Sequence, residues 1–262
     1  MNLIVTLTGM STSGKSTLAK SLTDSGNFKE ATSVTTRPMR PGEVNGVDYY
    51  FVDNKQFNEF VLEGEFLEFV QSHHASYGVL SSEVEKILGS GKSPVLVIEP
   101  IGVDSMNKIA LERNYNMLSC YVNTDIEVIM SRFMGRIYGQ ISAGKSVNYN
   151  QEAKRLQTMM TIERTWEKIW NWDMMLDNLH KKENMLGSIS TLTDHHHSLD
   201  SFKPVEKSMK SIRAPQFKAI EDIEKIIKET VEASISCDQF YNIVGKSMKR
   251  QPEKTNSIDP SL

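Results

Sequence analysis

The chain has 262 residues, 39% of them hydrophobic and 24% charged, with a formal net charge of −3, which suits one large soluble domain or a medium domain with an appendage. So even a balance carries no general signal for nucleic acid or an anionic membrane, so any anion site must be local. Two cysteines, Cys120 and Cys237, with no signal-type segment and no apolar run of spanning length, argue against a disulfide framework, a cysteine-rich metal knuckle or a membrane anchor and lead to the expectation of a cytoplasmic protein.

In chain order, Leu3, Ile4, Val5, Thr6 and Leu7 read as a buried strand, and residues 15–25 carry Leu18, Ala19 and Leu22 at helical spacing. Between them lies GMSTSGKST: Gly9, Met10, Ser11, Thr12, Ser13, Gly14, Lys15, Ser16 and Thr17. The spacing fits the phosphate-binding loop G-x-x-x-x-G-K-[ST], which requires a strand before it and a helix after it. A triphosphate is a dense anion, and small residues let successive backbone N–H groups turn inward while the helix start adds unpaired amides. In this motif Lys15 reaches the β- and γ-phosphates and the Ser16 hydroxyl ligates Mg²⁺, so ATP and Mg²⁺ are the expected cofactors. A glycine turn that merely caps a helix is the plainer alternative.

Gly and Pro punctuate residues 35–46. Residues 48–52 then read as a short aromatic strand, 55–63 as a helix, 66–70 as a strand and 81–88 as a helix ending at Gly89. Residues 94–98 and 117–122 suit central parallel strands, and helical patterns occupy 105–113, 125–134 and 152–170. Strands separated by helices imply an α/β fold with a doubly wound parallel sheet and ligands beyond the carboxyl ends of the strands. From about Asp194 the chain turns polar, as a linker or insertion. Pro215 then introduces an amphipathic pattern of Phe217, Ile220, Ile223, Ile226, Ile227, Val231 and Ile235. Its stripe is expected to dock on the sheet as a last helix or to meet another chain, and residues 242–262 to fray.

The stretch TTRPMRPGEVNGVDYYF, residues 35–51, holds two arginines, an acid and paired tyrosines. Arginine forks suit phosphate, so Arg37 and Arg40 could clamp a second, smaller phosphate, although in isolation a solvated surface loop is the favoured reading. GMSTSGKST, SVTTRPMRPGEVNGVDYYF, GEFLEF and SYGV together resemble the guanylate kinase family in order and spacing, over about residues 2–178.

That resemblance implies a P-loop kinase fold with a small inserted GMP-binding α+β subdomain, at about 33–92, and a helical lid, at about 132–155. The kinase-like domain would span 1–194, with 195–262 a linker and helical extension. It implies that Arg37, Arg40, Tyr49 and Tyr77 hold the GMP phosphate, that Ser33 and Glu43 lie at the same end, and that Glu68 reads guanine. Arg132 and Arg136, four residues apart on one predicted helix face, resemble the family's lid arginines, and Arg155 the arginine of the helix after the lid. Lys15, Arg37, Arg132, Arg136 and Arg155 would then be catalytic. The implied reaction is phosphorylation of GMP or dGMP by ATP, with no nucleic-acid or membrane partner.

The sequence departs from the family pattern at several places. Val97 and Glu99 stand where the family has two aspartates, leaving Glu99 near the base amine or Mg²⁺-bound water. Val79 replaces a hydroxyl residue, with Ser81 or Ser82 as substitutes. Residues 139–150 lengthen the lid loop, and nothing beyond Asp194 matches. These departures admit a protein-interaction module, or a kinase of relaxed nucleoside monophosphate specificity, as alternatives. A protein partner or self-docking through helix 216–235 is the corresponding partner expectation. His73, His74 and His195, His196 and His197 are not needed for phosphoryl transfer between phosphates, and three adjacent histidines without a patterned partner make a weak metal site.

Overall fold

Strand β1 (Leu3–Thr8) is buried along its whole length, and its side chains divide between two layers. Leu3, Val5 and Leu7 pack with Leu18, Ala19 and Leu22 of α1 (Lys15–Asp24). Ile4 points the other way, into a cluster with Val84 and Ile87 of α3 (Ser81–Gly89) and Val103, Met106 and Ala110 of α4 (Pro100–Arg113). A strand apolar on both faces is what a parallel sheet sandwiched between helices requires. The computed structural model describes residues 3–40, 42–71, 75–178, 205–212, 219–233 and 236–246. His73, His74, His195, His196, His197, Phe217 and Ile235 lie outside them, as does most of the stretch expected to be a linker.

The central sheet is five-stranded and parallel. It comprises β2 (Phe28–Glu30), β7 (Ser93–Val97), β1, β8 (Asn116–Asn123) and β9 (Met174–Asp177), in that spatial order. The strand order reverses beside β1, which opens a crevice at its carboxyl end. Inserted between β2 and β7 is a four-stranded mixed sheet in the order β4 (Tyr50–Phe51), β3 (Val34–Thr35), β6 (Tyr77–Leu80), β5 (Phe66–Val70). Helix α2 (Asn54–Leu62) is capped by the Asp53 carboxylate, which accepts from the Gln56 N–H. It anchors on this sheet through Phe57, whose ring centroid lies 4.6 Å from that of Phe66.

Contacts divide the chain into two units, residues 1–124 with 163–214, and residues 125–162 with 215–262. The second unit is helical. Helix α5 (Ile126–Ser142) buries Val128, Ile129, Met130, Phe133, Met134 and Ile137. It is followed by α6 (Tyr149–Thr161), whose cap Asn148 accepts from the Gln151 N–H. Helix α5 runs eight residues past the expected end, so much of the lengthened lid loop is helix. The expected long helix 152–170 is broken: α6 stops at Thr161, a 3-10 turn covers Glu163–Thr165, and α7 (Trp166–Ile169) follows.

The tail also departs from expectation. Helix α8 (Ile220–Glu232) lies along α6, and α9 (Cys237–Lys246) along α5, so α5 and α6 take the place of the sheet as the docking surface. Residues 242–246, expected to fray, belong to α9. Ile223 and Ile227 are buried, the Phe240 ring stacks on Phe133 at 6.4 Å, and the Tyr138 hydroxyl donates to the Thr230 carbonyl at 3.2 Å. Ile227→Ala should lower stability by about 2–5 kcal/mol, the usual range for emptying a fully buried aliphatic site. Urea titration of the full chain reads that loss, and an unchanged midpoint would mean that α8 does not carry the packing of this unit.

Candidate active site

The chain leaves β1 through Gly9 and enters α1 at Lys15, with Gly14 as the N-cap at φ 99°, a left-handed conformation that glycine adopts without steric cost. Thr12 is also left-handed, at φ 65°, uncommon for a β-branched residue. Several bonds hold this turn. The Ser13 N–H donates to the Met10 carbonyl at 3.1 Å, and the Ser13 carbonyl accepts from Thr124 Oγ1 at 3.0 Å and Asn178 Nδ2 at 2.5 Å. Lys15 Nζ donates to the carbonyls of Gly9 and Met10, both at 2.8 Å, which parks the ammonium over the loop. Ser16 follows in the first turn of α1 and is exposed. The loop thus carries one cation across its Gly9 and Met10 carbonyls.

The small sheet builds a second cluster of charged and aromatic side chains. Arg37 follows β3 and sets both terminal guanidinium nitrogens on Glu43, at 2.9 and 3.0 Å. Its guanidinium carbon lies 5.3 Å from the Tyr49 ring centroid and 5.5 Å from that of Phe51. Tyr49 meets Tyr77 edge-on at 6.1 Å. The bond to Arg37 holds the Glu43 carboxyl below its usual range, helped by the Arg40 N–H, which donates to Oε2 at 2.7 Å. Burial raises the pKa of the Tyr49 hydroxyl, so it stays a donor. Arg40 is exposed, and the half-buried Ser33 contributes its carbonyl to the Tyr50 N–H at 2.9 Å. Arg37, Glu43, Tyr49 and Tyr77 therefore form one cluster.

Glu68 reaches the interior through a register shift. Phe66 pairs with Leu80, but Glu68 pairs with Val79, so Leu67 is bulged out of the ladder. A bulge re-aims side chains, and here both Leu67 and Glu68 are buried, at 5% and 6% exposure. Strict alternation would have sent one of them to solvent. The carboxylate lies against the first turn of α4, where Gly102 makes room: a Cβ there would sit 2.5 Å from Glu68 Oε2. Burial first, and the charge of Glu99 second, push the Glu68 pKa up to about 7.

Glu99 is the N-cap residue of α4. Its pKa is raised by burial and then by Glu163, against the opposing pull of Lys15. Val79 and Val97, the two family departures, pack into the apolar clusters of the sheet. Arg132, Arg136 and Arg155 belong to the helical unit, on α5 and α6. There Arg136 bonds Glu152 at 2.7 Å and lies over the Phe133 ring at 5.8 Å. Thr124, Asn178 and Glu163 were not marked by the sequence, yet all three hold the phosphate loop.

The guanylate kinase family model matches residues 1–189. The chain belongs to the guanylate kinase family. It is 30% identical over 199 residues to the guanylate kinase of Chlamydia felis, covering 75% of this chain and 91% of that one. It is 35% identical over 107 residues to the guanylate kinase of Symbiobacterium thermophilum, a match covering 40% of this chain and about half (51%) of the relative's length. A crystal structure of guanylate kinase from Anaplasma phagocytophilum shares the fold, with a TM-score of 0.51 at 22% identity over 85% of this chain and 93% of that one. The expected α/β architecture, with a mostly parallel central sheet, stands. No helix among the described residues is long and apolar enough to cross a membrane.

Proposed function

We infer that the protein transfers the γ-phosphoryl group of ATP to the phosphate of GMP or dGMP. One observation carries this reading: a single unit holds both a phosphate loop and a second subsite in which a buried carboxylate, Glu68, is set apart from an Arg37–Tyr49–Tyr77 cluster. The cluster suits a monophosphate and the carboxylate suits a base with two adjacent donors. Guanine presents N1–H and an exocyclic amine on one edge, whereas adenine offers an acceptor at N1. A polar site of this kind rejects the wrong base because a buried charge is left unpaired.

The nucleophile is a phosphate oxygen, already ionised at neutral pH, so no general base is needed. The protein supplies alignment and charge compensation. Lys15, parked on the carbonyls of Gly9 and Met10, exchanges those partners for phosphate oxygens when a triphosphate fills the loop. Arg40, exposed beside the cluster, makes the first contact with the acceptor phosphate, and Arg37 and the tyrosines complete its seat. By the family resemblance, Arg132, Arg136 and Arg155 of the helical unit are the residues proposed to neutralise charge on the transferred group.

The residues fit Mg²⁺. The exposed Ser16 hydroxyl and the Glu99 carboxylate beside Lys15 are hard oxygen donors of the kind that bind an ion retaining several waters. When bound, the ion offsets phosphate charge.

Coupled-assay turnover over a panel of nucleoside monophosphates tests the assignment. GMP and dGMP should lead, and faster turnover of AMP or CMP would reject guanine as the base. Arg40→Ala should raise KM for GMP about tenfold, the worth of one charge-assisted bond, and leave KM for ATP within about twofold. Equal losses toward both nucleotides in steady-state kinetics would contradict that assignment.

A further inference from the structure

Glu163 is a buried acid that the phosphoryl-transfer scheme leaves without a role. It stands in the 3-10 turn just after α6, where the chain re-enters the first unit, and is 7% exposed. Both of its oxygens are taken by Ser11. The Ser11 N–H donates to Oε2 at 2.5 Å and the Ser11 hydroxyl to Oε1 at 2.9 Å. Ser11 precedes Thr12, whose left-handed backbone at φ 65° persists only where neighbours over-determine it. The Ser13 side of that turn is restrained by Thr124 and Asn178, and the Ser11 side by Glu163.

A carboxylate beside a phosphate seat repels an incoming anion, and Glu163 already raises the pKa of its neighbour Glu99. Its charge therefore works against ATP, and its use must lie in shape. We propose that Glu163 is a positioning residue of the phosphate-binding loop. Gripping Ser11 at two atoms, it keeps the segment from Ser11 to Ser13 in the form that receives the β- and γ-phosphates, without itself touching nucleotide. The inference rests on the nucleotide-kinase reading of the loop.

The test measures binding of ATP with Mg²⁺, and separately of GMP, by calorimetry on the full chain. Glu163→Ala should weaken ATP about tenfold, the loss of one charge-assisted hydrogen bond's worth of organisation, with GMP within about twofold. Glu163→Gln keeps an acceptor for the Ser11 N–H, lets the Ser11 hydroxyl turn to accept from the new amide, and removes the repulsive charge. It should bind ATP within about threefold of the unchanged protein. Glu163→Asp, one methylene short, carries the expectation of the alanine variant should that variant not fold.

Three results would overturn the proposal: ATP affinity unchanged in both the alanine and aspartate variants, proportional loss of ATP and GMP, or a glutamine variant as impaired as alanine. Because binding is read directly, absence of GMP turnover in the unchanged protein would fail the functional reading and leave this comparison standing.

Discussion

Lys15→Ala abolishes measurable phosphoryl transfer, with kcat falling by at least about 10²- to 10³-fold, the usual effect of removing a preorganised group that meets charge developing in the transition state. The size follows from placement. The ammonium is already held over the loop by two carbonyls at 2.8 Å, so little reorganisation separates the empty site from the loaded one. Arginine is no substitute, because its planar fork cannot occupy the position of a compact ammonium between those carbonyls. The fold should survive, since the lysine is only half-buried and the freed carbonyls can turn to water. Single-turnover measurements at saturating ATP and GMP, with circular dichroism to check folding, read the effect. Activity within tenfold of the unchanged protein would take Lys15 out of the chemistry.

On the proposed reading of Glu68 as the guanine-binding carboxylate, Glu68→Gln lowers kcat/KM for GMP by about 10²- to 10³-fold at pH 8, because two charge-assisted bonds to the base edge become at best one neutral bond. The pH profile sharpens the prediction. In the free protein Glu68 titrates at about 7, raised by burial and then by Glu99, and guanine needs the ionised form. Below pH 7 binding must expel a proton, so kcat/KM for GMP falls about tenfold per pH unit there and levels off above. The glutamine variant keeps only the ionisation of the GMP phosphate itself. The sign for stability follows from the same shift. A carboxyl with a raised folded pKa stabilises the empty protein fully below its ordinary value of 4.5, and that contribution is lost as pH rises through about 7. A GMP profile that stays flat between pH 6 and pH 8, unaltered by the substitution, would remove Glu68 from base recognition.

The parts that sequence disclosed are those in which a local run of residues contains its own explanation. The phosphate loop needs its strand, its glycines and its helix in immediate succession, and all three are in place. The arginine loop disclosed itself by pattern, and Arg37, Glu43, Tyr49 and Tyr77 do gather. What stayed hidden depends on interruptions or on distant partners. The bulge at Leu67 breaks the alternation that would identify which β5 side chains face inward. Glu163 sat inside what read as one continuous helix, and its significance comes from Ser11, far back in the chain. Short strands such as β2 and β3 are too brief for periodicity to register. The tail's apolar stripe announced that it needed cover but could not say by what, and α6 proved to be the answer.

The absence of a side chain at Gly102 reaches beyond packing. A single methyl group there would intrude on the Glu68 carboxylate at 2.5 Å, and the end of a flexible side chain would yield before the helix did. On the proposed reading of Glu68, base choice then depends on the room left at Gly102 as well as on the carboxylate itself. Drift at that one residue could retune which base is admitted and leave the phosphate chemistry intact.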